Sequence, residues 1–381
     1  MRPSERQLRT IRSLQAVTRD LDSRFVGRRD AASLLVLAVV AREHMLLTGP
    51  PGTGKTDLIQ QFSTLIQAKR FSHLLTRFTE PSEIFGPLDF KQFEAGSYRI
   101  KTDGMLPAAE VVFLDEVFQG SSAILNTLLT LINERRFYNG SETEPAPLIS
   151  LFGASSELPD DPALHAFNDR FLLRLEVAPV GATRLPELLD RGWTRERQRR
   201  GAEPPAVLID DLRALSAVVA EVDLEPVRGA LVDLVGELLA QRVTLSDRRI
   251  VRAQKLVAAA ALLREDGAAR PRDLWPLAHL WTVQSDAPLL RDAVYQRVAA
   301  DGGEQRAPRR SPIELETLAR HEAGLVFDRQ SVLSRGALVA ALRTIHELLT
   351  EARTSHPAEH TTHEAIRGLR DQVTLLLDQQ S

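Results

Sequence analysis

The chain has 381 residues, with 48 Lys and Arg against 51 Asp and Glu and a net charge of -3. That length suits two or three packed units, and the charge removes the broad positive field of a protein whose affinity rests on neutralising nucleic-acid phosphates. The absence of cysteine excludes disulfides, thiolate metal sites and cysteine nucleophiles, and 43% hydrophobic with 26% charged residues excludes a disordered chain.

Residues 1–24 read as a polar lead-in helix, with Leu8, Ile11 and Leu14 at helical spacing. Arg2, Arg6, Arg9 and Arg12 punctuate it without the apolar segment of a signal peptide, so a cytoplasmic protein is expected. The longest apolar run, Leu34 to Ala41, is far short of the roughly 20 residues that cross a bilayer, so no membrane segment is expected. Over residues 25–181 short apolar strands alternate with amphipathic helices, which predicts an α/β module with a five-stranded parallel sheet between helices. The strands are placed at His44–Leu47, Leu74–Phe78, Val111–Leu114, Leu148–Gly153 and Phe171–Val177. Beyond Pro179 apolar residues recur every three or four positions, which predicts an all-helical lid over 182–300. A linker at Asp301–Pro308 then leads to a helical extension that completes 301–381.

The string Gly49-Pro50-Pro51-Gly52-Thr53-Gly54-Lys55-Thr56 fits GxxxxGK[ST] and sits between an apolar strand and a helix that opens at Asp57. The glycines let backbone N–H groups converge on the phosphates of ATP. Lys55 reaches the β- and γ-phosphates, and Thr56 offers its hydroxyl to Mg²⁺. A second acidic strand is needed to hold the metal and polarise water, and Val111-Val112-Phe113-Leu114-Asp115-Glu116 supplies it. Its four apolar residues bury the strand, and its carboxylates emerge at the carboxyl end, where open α/β sheets place ligands. Asp115 is assigned to Mg²⁺ and Glu116 to the attacking water. Ser156, at the end of the next strand, is a candidate for orienting that water, although Ser-Ser-Glu-Leu-Pro also reads as a capped turn. Arg170, Arg248 and Arg249 are suited to phosphate by their planar, permanently charged fork, though a surface ion pair is the ordinary use of a lone arginine.

Two further clusters carry less. His356, His360 and His363 match no metal-ligating order, and a solvated helix start accounts for them better. The basic string Arg195, Arg197, Arg199, Arg200 reads as a solvated loop or a ring contact before it reads as a nucleic-acid site.

Three longer blocks, Thr76–Leu88, Ala123–Arg135 and Ala154–Pro159, closely resemble the MoxR family of AAA+ ATPases, nearest to its RavA subgroup. The likeness runs from Phe25 to about Val298 and fades over the last 80 or so residues. It implies a homo-oligomeric ring, usually a hexamer, with ATP and Mg²⁺ at subunit interfaces. It makes Arg170 the finger that acts on the neighbour's γ-phosphate. Arg248 becomes a second sensor reaching from the lid to the same nucleotide, with Arg249 as its competitor. By the same resemblance Val26 borders the adenine, and Gly86–Leu106 is an inserted hairpin with Lys91, Tyr98, Arg99 and Lys101 as pore-facing contacts. Relatives carry asparagine where this chain has Ser156, and a hydroxyl offers fewer hydrogen-bonding groups than an amide, so slow or partner-dependent turnover is expected. The resemblance implies chaperone-like remodelling or assembly of a protein client, with a von Willebrand factor A domain partner. An assembly scaffold with little turnover and a DNA-acting motor are the competing readings.

Overall fold

The computed structural model describes residues 3–159, 161–181, 184–198, 207–301, 312–327, 335–355 and 359–379. Gly302–Pro308 of the expected linker, Arg199, Arg200 and His356 lie outside them.

Helix α1 (Glu5–Arg24) starts at a capping box in which Ser4 accepts from the Gln7 N–H and the Gln7 side chain accepts from the Ser4 N–H. It buries Ile11, Leu14, Val17 and Leu21. Helix α2 (Arg29–Ala41) is apolar nearly all round and is buried from Ala31 to Ala41 except at Ser33, as a helix covered on several sides must be. It feeds strand β1 (Met45–Thr48), after which come α3 (Lys55–Leu65) and β2 (Arg70–Leu74). Two one-turn helices, α4 (Pro81–Phe85) and α5 (Phe90–Glu94), precede β3 (Val111–Asp115) and α6 (Ser122–Glu134). Strands β4 (Arg136–Asn139) and β5 (Glu142–Pro145) form a separate antiparallel hairpin. Strand β6 (Ser150–Ser155), helix α7 (Pro162–Asn168) and strand β7 (Leu173–Glu176) complete the module.

The main sheet is fully parallel, in the order β2-β3-β6-β1-β7. Side chains alternate across it as the pleat requires. Met45, Leu47, Val111 and Phe113 enter one core with α1, α2 and α3, and Leu46, Val112 and Leu114 enter a second core with α6. The first core runs on without a break into α9 (Ile209–Ala217), α10 (Glu225–Ala240), α11 (Asp247–Leu263) and α12 (Ala287–Ala300). An amphipathic helix, α8 (Leu185–Gln198), connects the sheet to these helices. The terminal helices α13 (Pro312–Phe327), α14 (Arg335–Ser355) and α15 (His360–Gln379) enclose a core of their own built on Leu315, Ile345 and Val373.

Buried charge pins the helical half to the sheet. Glu43, between α2 and β1, is 1% exposed and meets Arg252 at 2.7 Å and Lys255 at 3.8 Å, both from α11. Burial pushes the Glu43 carboxyl pKa up and these cations oppose the shift, as expected for an acid that must be paired to stay charged. Among the described residues no helix is long and apolar enough to cross a membrane.

The structure moves one expected strand and adds two local details. Strand β2 is Arg70–Leu74 and not Leu74–Phe78, and Phe78 is 84% exposed in a turn where Thr79 N–H donates to the Thr76 carbonyl. An edge strand needs one half-covered face only, so its Arg-Phe-Ser-His-Leu sequence shows no apolar run. The Gly86–Leu106 insertion has a single antiparallel bridge, Leu88 to Ile100, and a helical tip at α5. The β4–β5 hairpin was not foreseen, although its two-residue loop, Gly140-Ser141, is a recognised signal for one and Gly140 has φ 64°.

Buried histidines make acid stability testable. His279 is 8% exposed, and burial lowers its pKa from 6.5 to about 4. The unfolded chain therefore binds the extra proton first, and stability falls as pH drops through that interval. Chemical denaturation should give a constant midpoint above about pH 6.5 and a falling one from there toward pH 4, and His279→Gln should flatten that fall.

Candidate nucleotide-binding and catalytic site

Strand order assembles the site. Because β6 lies between β1 and β3, the carboxyl ends of three adjacent strands deliver, in turn, the phosphate loop, Ser156 and the Asp115-Glu116 pair. Neighbouring parallel strands lie about 4.8 Å apart, so groups far apart in sequence arrive within hydrogen-bond reach.

Residues Gly49 to Gly54 form the loop and Lys55 begins α3. Gly49 has φ 135°, and a Cβ there would stand 2.5 Å from the Val177 carbonyl oxygen, so the loop fits against β7 only with glycine. Gly52 and Gly54 also have positive φ, and a Cβ on either would meet no protein atom, which leaves that side of the loop open to approach. The Lys55 ammonium, 7% exposed, donates to the carbonyls of Gly49 at 2.7 Å and Pro50 at 2.9 Å. Burial lowers its pKa, and Asp115 and Glu116 partly restore it.

The Thr56 hydroxyl donates to Asp115 Oδ2 at 3.1 Å, so the two groups expected to share a metal are already adjacent. Hydroxyl and carboxylate are hard oxygen donors, the chemistry that Mg²⁺ requires. Glu116 has left-handed φ 48° and ψ 48°, an arrangement that costs about 1 kcal/mol or more for a non-glycine residue and is fastened by its N–H donating to Asp115 Oδ1 at 3.1 Å. This turn brings the Glu116 carboxylate to the end of β6, where the Ser156 hydroxyl donates to Oε1 at 2.6 Å. The sequence placed Ser156 beside a water. The structure adds that it grips the acid itself.

Beside the loop lies a cavity of ≈ 490 Å³ lined by Phe25, Val26, Pro179 and Val180 and by residues of α8. Val26 is 3% exposed and faces this space, together with Pro50, Pro51, Thr53 and Asp57. Arg28 donates to the carbonyls of Thr53 at 3.1 Å and Ala178 at 2.8 Å and so ties the loop to the segment after β7, and burial lowers its pKa. Sequence reasoning missed Arg28 and also Arg195. It assigned Arg195 to a basic surface string, but the structure places it on α8 in an ion pair with Asp57 at 2.6 Å.

The arginines expected from the resemblance do not line this cavity. Arg170 follows α7, where Phe167 and Phe171 pack edge to face at 5.4 Å. It is half-buried, and its Nε and Nη1 have no acceptor among the described residues. Arg249 is structural. It is 1% exposed, donates to the carbonyls of Phe171 at 3.0 Å, Leu172 at 2.7 Å and Leu280 at 2.9 Å, and burial lowers its pKa to about 10. Arg248 is exposed and lines a second cavity of ≈ 470 Å³ with Asn133, Val251 and Arg252. Arg249 clamps the start of α11 beside Asp169.

Of the expected pore-facing contacts, Lys91 and Tyr98 are exposed. Arg99 is instead held by Glu142 and Glu144 of the β4–β5 hairpin, and Lys101 lies 3.9 Å from Asp89. Among the described residues no cluster of His, Cys, Asp and Glu could hold a metal; His360 and His363 pack ring edge to face at 6.0 Å.

Residues 12–217 match the model of the MoxR domain in the MoxR-vWA-beta-propeller ternary systems. The chain belongs to the MoxR family of AAA+ ATPases. It is 37% identical over 273 residues to an uncharacterized protein of Methanocaldococcus jannaschii, covering 71% of this chain and 70% of that one. Chaperone MoxR1 of Mycobacterium tuberculosis is 23% identical over 171 residues, 44% of this chain and 45% of its own. The fold is shared with a candidate ATPase from Cytophaga hutchinsonii whose structure superposes with a TM-score of 0.62 at 16% identity, covering 77% of this chain and 96% of that one. The α/β AAA+ module with its helical additions is thus the MoxR-family architecture.

The two neighbouring arginines should separate cleanly in stability. Arg249→Ala should lower the unfolding free energy by on the order of 3 kcal/mol, because it strips several buried carbonyls of a charged donor. Arg248→Ala should stay within about 0.5 kcal/mol, as an exposed side chain does. Urea unfolding of both variants checks the ordering.

Proposed function

We propose that this chain is a ring-forming ATPase of RavA type that couples ATP hydrolysis to chaperone-like remodelling or assembly of a protein partner. The observation that carries the reading is the pair of contacts at the sheet's carboxyl end: Thr56 to Asp115 at 3.1 Å and Ser156 to Glu116 at 2.6 Å, both beside the phosphate loop. One pair is suited to a metal and the other to water. The RavA assignment rests on the Thr76–Leu88, Ala123–Arg135 and Ala154–Pro159 strings. The partner assignment, a protein with a von Willebrand factor A domain, is supported by the description of the matching domain.

In this reading Lys55 neutralises the β- and γ-phosphates, and the backbone N–H groups of the loop orient them. Mg²⁺ held by Thr56 and Asp115 would supply further charge neutralisation at the phosphate oxygens. Glu116 takes up the proton of the attacking water, and Ser156 fixes the carboxylate while it does so. Arg170, half-buried just before β7, stands outside its own chain's cavity, and in this reading its guanidinium stabilises charge on a neighbour's γ-phosphate. Arg248, exposed on the helix that Arg249 fixes beside Asp169, is in this reading the second sensor that reaches the same nucleotide. Hydrolysis then occurs between subunits and depends on ring geometry.

Glu116→Gln should keep ATP binding and lose turnover. Arg170→Ala should bind ATP, hydrolyse poorly, and recover turnover when mixed with Glu116→Gln subunits that supply the arginine. A steady-state phosphate-release assay on single and mixed variants decides this, and normal hydrolysis by Arg170→Ala alone would overturn the assignment between subunits. ATP-dependent assembly with negligible phosphate release would favour the scaffold reading.

Ser156→Asn should speed phosphate release, because an amide reaches farther and offers both donors and an acceptor. A slower variant would show that the hydroxyl's grip on Glu116 is the better arrangement.

A further inference from the structure

The floor of the nucleotide cavity is the phosphate loop, and its roof is α8. That helix is tied down at two points one turn apart. Arg191 donates to the Asp22 carbonyl at 2.6 Å, anchoring the middle of α8 to the end of α1. Arg195, four residues on and so on the same face, reaches across to Asp57 at 2.6 Å. Its guanidinium carbon also lies 4.9 Å from the centre of the Phe25 ring. Asp57 follows Thr56 directly in α3, and Phe25 precedes Val26, both of which line the same cavity. A single side chain thereby joins roof, floor and wall.

We propose that Arg195 is a nucleotide-retention latch, which holds α8 closed over the base and ribose of bound ATP and has to let go of Asp57 and Phe25 before nucleotide leaves. The assignment rests on the ATP-binding reading above and adds to it which residue governs release.

The chemistry of the contact fits this role better than it fits a structural one. Arg195 and Asp57 each keep 40% of their side-chain surface exposed. Phe25 is buried, but an ion pair and a cation–π contact made by a side chain that stays partly in solvent are each weak, so the latch opens thermally without unfolding anything. Arg249 offers the contrast: wholly buried and bonded to several carbonyls, it cannot be released reversibly. The remainder of α8's inner face, Leu185, Leu188 and Gly192, is apolar or bare and suits contact with a base and a sugar. Because Asp57 shares the first turn of α3 with Lys55 and Thr56, a shift of the phosphate-binding residues pulls directly on the latch.

The test is the release rate of a fluorescent methylanthraniloyl-ATP from the full chain, followed by stopped flow with unlabelled ATP as chase. Arg195→Ala should release it about three- to tenfold faster, the change expected from losing one exposed pair and one cation–π contact. Arg195→Lys should fall between, since an ammonium keeps the pairing with Asp57 but not the planar stack on Phe25. Asp57→Ala should also speed release, and the double variant should be no faster than the faster single one, because both remove the same link. Trp193, 62% exposed on the same helix, gives a second readout: its emission should change on nucleotide binding in the wild type and less in Arg195→Ala. Release from Arg195→Ala at the wild-type rate, with the analogue bound normally, would overturn the latch alone. If the wild-type chain fails to bind the analogue while Lys55→Ala behaves identically, the ATP-binding reading falls and the latch falls with it.

Discussion

The insertion of β6 between β1 and β3 is the constraint on which the rest depends. The three strands are separated in sequence by a helix, an insertion and a hairpin, and only their order in the sheet brings their ends together. Parallel pairing makes all three ends point one way, so the phosphate loop, Ser156 and the Asp115-Glu116 pair form one surface. The Thr56–Asp115 and Ser156–Glu116 contacts follow from that order. The left-handed turn at Glu116 is a local strain that this assembly maintains, since the carboxylate it aims is caught by a group from the adjacent strand.

A second constraint concerns what is allowed to move. Helices α9 to α12 share the core that lies on one face of the sheet, and two buried charges lock α11 to it, Glu43 from the sheet side and Arg249 from the helix side. Burying such charges is costly unless each is paired, so these contacts define one arrangement and tolerate few others. Beside this rigid body, α8 is held by exposed ion pairs and keeps large apolar side chains in solvent, Leu189 at 73% and Trp193 at 62% exposure. The contrast between wholly buried and half-exposed arginines separates the fixed part of the molecule from the adjustable part.

The sequence was most legible where backbone geometry demands specific residues. Gly49, Gly52 and Gly54 have conformations or clearances that a side chain would spoil, so the loop is visible as a spacing of glycines. Strand β3 was legible because both faces of a central parallel strand are buried, which makes Val111 to Leu114 an unbroken apolar run. Strand β2 was misplaced because an edge strand need not show such a run. Arg195, Arg248 and Arg249 were harder still. Three chemically identical side chains serve as a surface tie, an exposed cavity wall and a buried clamp, and the difference lies in which carbonyls or carboxylates stand opposite. Tertiary packing alone sets that, and one-dimensional pattern does not record it.

Asn139, at the end of β4, accepts from the Ile100 N–H at 2.7 Å and donates to the Ile100 carbonyl at 3.1 Å, and so completes a backbone-like pairing with a side chain. Gly140 follows it, and a Cβ there would lie 1.9 Å from the Tyr98 carbonyl oxygen. Together with Arg99 on Glu144, these contacts weld the 87–101 insertion to the β4–β5 hairpin, so the two protrusions behave as one beam. Its tip carries Phe90 at 68% and Phe93 at 56% exposure. Its root is the left-handed cap of α6 at Arg135, whose guanidinium bonds the Leu148 and Arg42 carbonyls just before β6 and β1. The exposed aromatic tip is thus connected through side-chain bonds to the base of the very strands whose far ends carry the phosphate loop and Ser156.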